Sequence, residues 1–187
     1  MGSYGVGGER LAPDVRNEVL ELYTAHVREV FAYCTRRLGS KQLAEDATSS
    51  VFLRLVEQYP ALTHKGRERV RRWLYGTASN VIARLRRDAS RRGDIAAELA
   101  RRRRSRLVDT REEHGHLDWP ILYEAIGRLK PRHQDILVLR YFQGLETSAI
   151  AEALGMKHVT VRVQLSRAVK RLRRELGTPF GERLEPV

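Results

Sequence analysis

The sequence predicts an all-α protein of two small helical domains joined by a basic linker, the second a helix-turn-helix domain. Three observations carry this. Apolar residues recur at three- and four-residue spacings through most of the chain, and no stretch alternates with the period of a strand. Near position 155 a short apolar helix, a glycine and a long basic helix follow one another directly. With 187 residues the chain has room for one ordinary domain or two small ones.

Residues 1–10 read as a Gly-rich tail without the basic start and apolar core of a secretory signal. The first domain is expected over 11–93. From Asp14 to Leu38 the apolar positions Val15, Val19, Leu22, Val27, Val30 and Leu38 mark one long helix, and Gly39 ends it. Ser40 is placed to cap a second helix, Lys41 to Tyr59, with Leu43, Ala47, Val51, Leu55 and Val56 inward and Pro60 as its stop. Ala61 to Arg69 reads as a loop. A third helix follows from about Val70 to Arg87, with Val70, Trp73, Leu74, Val81, Ile82 and Leu85 on one side. Ten arginines fall between Arg84 and Arg106, running into a linker over 94–116. The second domain is expected over 117–177, and 178–187 is a tail. In it Asp118 caps a helix near Trp119 and Pro120, and Thr147 to Leu154 turns Ile150, Ala151 and Leu154 inward. Gly155 makes the turn, and the last helix carries the stripe Val161, Leu165, Ala168, Leu172, Leu176.

Charge narrows the function. Lys and Arg number 35 against 23 Asp and Glu, a net charge of +12, which favours nucleic acid as the partner. A membrane is not expected, because no apolar run approaches the roughly 20 residues of a spanning helix. The one cysteine, Cys34, lies on an apolar helix and reads as a buried hydrophobe. His114 and His116 lack further ligands, so no metal is expected. Neither a phosphate loop nor a nucleophile with a base is present, so no enzyme activity and no cofactor are expected.

A helix-turn-helix lays its second helix in the major groove. Arg162 and Gln164 suit guanine and adenine edges, Ser166 and Arg167 are placed to approach bases, and Lys157, Thr160, Lys170 and Arg171 to hold phosphates.

The residues Leu129, Pro131, Leu137, Arg140, Gly144, Ile150-Ala151-Glu152, Leu154-Gly155, Thr160-Val161, Leu165, Arg167-Ala168 and Leu172-Arg173 resemble the promoter-binding C-terminal domain of extracytoplasmic-function, or group IV, RNA polymerase sigma factors of the sigma-70 family. Ala44-Glu45-Asp46 with Val51-Phe52-Leu53-Arg54-Leu55 resembles that family's helix that docks on the clamp helices of RNA polymerase. Trp73-Leu74-Tyr75 through Asn80 and Arg84 to Arg87 resembles its helix beside the loop that opens the minus-10 element.

The resemblance implies an alternative sigma factor that binds core polymerase at its clamp helices and flap. It would read the minus-35 element with the second domain, and the minus-10 element with His64, Lys65, Arg67, Trp73, Tyr75, Asn80, Arg84 and Arg87. Glu45, Asp46, Phe52 and Arg54 would meet polymerase; Trp73 and Phe52 have core roles as equal alternatives. An anti-sigma partner and a cytoplasmic place at the nucleoid are implied too. One departure is Ala47-Thr48-Ser49-Ser50, where the family has Leu, a second apolar residue, Gln and an acid. Two other readings stand beside it: a stand-alone helix-turn-helix regulator, and a sigma-like decoy that binds polymerase without opening promoters.

Overall fold

The computed structural model describes residues 13–62, 66–91 and 119–177. Three long helices form the first domain: α1 (Pro13–Leu38), α2 (Lys41–Leu62) and α3 (Arg67–Arg91). Their inward stripes close over one core in which Val30, Cys34, Val51, Leu55, Leu74 and Ile82 are almost wholly buried. Each such side chain contributes about 1.5–3 kcal/mol by leaving water.

Two boundaries differ from expectation. Pro60 does not end α2, which continues to Leu62. A proline cannot donate the bond to the carbonyl four residues back, but Tyr59 and Leu62 are both buried, and their packing holds the last turn in place. The loop expected over Ala61 to Arg69 is correspondingly shorter, since Arg67 already belongs to α3. Leu43, expected inside, is exposed on the outer face of α2.

Burial pushes the Cys34 thiol up to about 11. At pH 8 only about one molecule in a thousand then carries the thiolate. Alkylation by iodoacetamide is therefore expected to follow unfolding, and fast labelling of native protein at pH 8 would place Cys34 outside the core.

The second domain holds α4 (Trp119–Arg128), α5 (Pro131–Leu137), a π-helical turn (Val138–Phe142), α6 (Thr147–Leu154) and α7 (His158–Leu176). Ile136, Leu137, Val138 and Leu139 are all buried, and four successive positions cannot share one helical face. The rod they form is enclosed all round. On one side lies α7, and on another the first domain, because α1 reaches the π-helical turn and α3 runs along α6. Among the described residues no helix is long and apolar enough to cross a membrane.

Candidate nucleic-acid interface

The turn between α6 and α7 is set by Gly155, left-handed at φ 60, with the Met156 amide donating to the Ala151 carbonyl at 2.9 Å. This six-to-one closure ends α6 cleanly and lets α7 start three residues later. Lys157 takes the N-cap position without a side-chain capping bond, as its side chain has no acceptor to offer. A bond of 2.8 Å between Thr147 and His158 ties the starts of the two helices together instead.

Along α7, Val161, Ala168 and Leu172 are buried, and Leu165, Val169 and Leu176 pack partly against the same core. The opposite face presents Thr160, Arg162, Ser166, Arg167, Lys170 and Arg171 to solvent, with Lys157 at its start. Arg162, Arg167 and Lys170 have no acidic partner among the described residues, whereas Arg171 pairs with Glu175 at 3.4 Å. Gln164 departs from expectation. It is half-buried and bonded to His133 at 2.8 Å, so it braces α7 against α5 rather than facing a base. Val159, a departure from the family's glycine, and Val163, which the sequence reading does not name, are 70% and 42% exposed on the same face as the arginines. The signal was available, since both are apolar yet off the 161-165-168-172 stripe.

The minus-10 candidates lie on α3, apart from His64 and Lys65, which fall outside the described residues, as do Arg92, residues 101–106 and the histidines at 114 and 116. Asn80, Arg84 and Arg87 are exposed and Trp73 is half-buried against the core. Trp73 and Asn80 line a cleft of about 500 Å³ with Arg69, Arg72 and Thr77, and its far wall is Glu152 and Ala153 of α6. Arg67 is held by Glu21 at 2.7 Å, and Arg84 by Asp88 at 3.8 Å. Arg72 is paired with Glu152.

Tyr75 is a correction. It is fully buried, its hydroxyl within hydrogen-bond distance of Gln143 Oε1 at 2.8 Å and Glu29 Oε2 at 3.1 Å, with no face left for a base. Leu74 and Tyr75 are adjacent and both inside because α3 is covered on two sides, by its own domain and by α6 with the π-helical turn. Burial and the Glu29 charge push the Tyr75 phenol well up. For Glu29 burial opposes ionisation, but Arg71 at 3.1 Å, Tyr75 and His26 outweigh it and hold its carboxyl below the ordinary range. Its contribution is present at neutral pH and is lost as pH falls through the acid range.

On α2, Glu45 and Asp46 are exposed, Glu45 lying 3.9 Å from the Lys41 ammonium, and Arg54 is half-exposed. Phe52 takes the core one of its two expected roles and not the polymerase-facing one: it is buried, and Tyr23 meets its ring edge-on at 4.9 Å. Leu53, next to it in the same motif and 61% exposed, takes the outward position, although the sequence reading does not name it among the polymerase contacts. The departure at 47–50 is split. Ala47 and Thr48 fill the core, Thr48 bonding the Ala44 carbonyl at 2.6 Å, while Ser49 and Ser50 face solvent.

Comparison with known proteins agrees with this arrangement. The family Sigma-70 region 2 matches residues 22–92, and Sigma-70, region 4 matches 120–172. BldN of Streptomyces coelicolor, an extracytoplasmic-function RNA polymerase sigma factor, is 29% identical over 162 residues, 83% of this chain; the chain spans 59% of that relative's length. SigL of Mycobacterium tuberculosis, described likewise, is 29% identical over 159 residues, 83% of this chain and 89% of its own. A solved structure of the sigma factor RpoE with the anti-sigma factor NepR from Bartonella quintana matches with a TM-score of 0.64 at 16% identity, covering 88% of this chain and 98% of that one, which speaks for the fold. With a region 2 and a region 4 in the family's order on the helices just described, the chain belongs to the extracytoplasmic-function RNA polymerase sigma factors of the sigma-70 family.

Proposed function

We propose that this chain joins a bacterial RNA polymerase core and directs it to promoters, reading the minus-35 duplex with α7 and recognising and opening the minus-10 region with α3. The observation that carries this is the outer face of α7, where Arg162, Arg167 and Lys170 project without acidic partners among the described residues, next to the exposed Val159 and Val163. Arg162 and Arg167 supply the fork that suits guanine, and the two valines supply apolar contact for thymine methyl groups. Lys157, Thr160 and Arg171 hold phosphates.

Opening the minus-10 duplex costs unstacking energy, which capture of the unpaired strand offsets. Asn80 and Trp73 in the cleft, with Arg84 and Arg87 along α3, are the groups for that capture. Glu45, Asp46, Arg54 and Leu53 face polymerase. The protein then acts as a specificity factor, with no reaction of its own, in the cytoplasm at the nucleoid, and an anti-sigma partner would hold it inactive.

Run-off transcription with core polymerase on a promoter library tests this: discrete new start sites are expected only when the chain is present. Binding to core without transcripts would make it a decoy, and no binding to core a stand-alone regulator. On the minus-35 duplex so identified, Arg167→Ala is expected to lose about 10–100-fold in affinity, and Val163→Ala about 4–15-fold, at about 0.8 kcal/mol for each of the two methyl groups it removes. Random duplex should hardly change. Equal losses on both DNAs would remove these residues from base reading.

A further inference from the structure

The outer face of α2 carries a second stripe of its own. Leu43, Asp46, Ser50, Leu53 and Glu57 follow at intervals of three and four residues, so they line one side of the helix, opposite the buried stripe through Ala44, Ala47, Val51 and Leu55. All five are exposed. Leucines held in water between carboxylates describe a surface kept for a partner, and the partner it fits offers apolar contact beside cations. Ser50 stands at the middle of that stripe.

Serine contributes little to the helix there. In an exposed helix interior it is a weaker helix former than alanine or glutamate. Its hydroxyl only bonds back to the Asp46 carbonyl at 2.8 Å, a bond that competes with the helix's own. Thr48 bonds back to Ala44 in the same way, but Thr48 is buried and fills the core, whereas Ser50 fills nothing. Within the departure at 47–50, Ser50 is also the position at which the family has an acid. One turn further on, Arg54 is half-exposed and has no acidic partner among the described residues. A spacing of four residues is the one at which a helix holds an anion against a cation. The hydroxyl supplies the attachment point and the guanidinium the counter-charge.

We propose that Ser50 is a phosphorylation site, and that its phosphate strengthens the docking of α2 on polymerase. This rests on the polymerase-docking role of α2 given above. In the transfer, Ser50 Oγ attacks the γ-phosphorus of a nucleoside triphosphate held by a protein kinase. The new phosphorus–oxygen bond forms as the bond to the bridging oxygen breaks, the nucleoside diphosphate leaves, and the hydroxyl proton passes to a base of the kinase. The product carries a charge of about −1.5 to −2 at neutral pH. It stands between Asp46 and Leu53, and Arg54 steadies it without cancelling it. One serine thereby sets how well the chain competes for core polymerase.

The test has two parts, both on the full-length protein. The protein is recovered from its own bacterium across growth conditions and its α2 peptide weighed by mass spectrometry, where phosphate on Ser50 is expected in part of the population. In parallel, protein carrying phosphoserine at position 50 is titrated against core polymerase beside the unmodified chain, and its affinity is expected to rise about tenfold. Ser50→Glu is expected to give part of that gain. Phosphoserine at position 49, which has no arginine one turn further on, is expected to give clearly less. Equal gains at the two positions would overturn the assignment to Ser50. Equal or weaker binding of the phosphorylated chain, or no phosphate on Ser50 under any condition, would overturn the inference. An unmodified chain that binds core and directs transcription but gains nothing from the phosphate would strike this inference alone. If neither form binds core, the docking role falls and the inference falls with it.

Discussion

Asp135→Ala is expected to break the domain contact at a cost of about 3–5 kcal/mol, because it leaves the Arg37 guanidinium buried with no charge to balance it. The side chain it removes accepts three hydrogen bonds from three first-domain residues, and Tyr33 and Ser79 lose their partner together with Arg37. The loss has a ceiling. Once the domains part, Arg37 returns to water, so destabilisation cannot exceed the free energy that holds them closed. The expected result is thus expansion in scattering and faster proteolysis between the domains, with the helical signal of each domain largely kept. A lower denaturation midpoint without expansion would show instead that the cluster serves folding of the second domain rather than closure.

The second large effect is Ile150→Ala. Ile150 is fully buried under α7, and removing its side chain should cost about 2–5 kcal/mol. The domain it supports is small, and such domains have little stability to spare. Since α6 holds α7 at its docking angle, minus-35 duplex binding is expected to fall to the level of random DNA. Association with polymerase core should persist through α2. Urea denaturation, duplex titration and co-purification with core measure the three parts, and an unchanged urea midpoint would place Ile150 outside the supporting core.

The sequence carries the helices and the turn, because a 3.6-residue apolar period and a glycine in the left-handed region are local signals. The stripes on α3 and α7 and the boundaries of α6 read off directly. Periodicity shows which face of a helix is buried, but not how many neighbours bury it. That is why Tyr75 reads as a DNA contact in the sequence: α3 has a second covered side, supplied by a domain more than fifty positions away. Gln164, which suits an adenine edge by its side-chain chemistry, is taken by His133 on another helix, and of the two readings open for Phe52 the core one holds, with Tyr23 against its ring. Conversely, Val163 and Leu53 were legible as apolar residues off their stripes. Pro60 shows packing overriding a strong local breaker, since buried residues on both sides of it outweigh one missing hydrogen bond.

The Arg72 and Glu152 pair joins the two domains and has a consequence in concentration. Because both domains belong to one chain, each partner meets the other at an effective concentration in the millimolar range, whatever the number of molecules in the cell. Dilution cannot weaken such a pairing, and overproduction cannot strengthen it. How closely the two domains keep together is therefore written into the chain and not into its abundance.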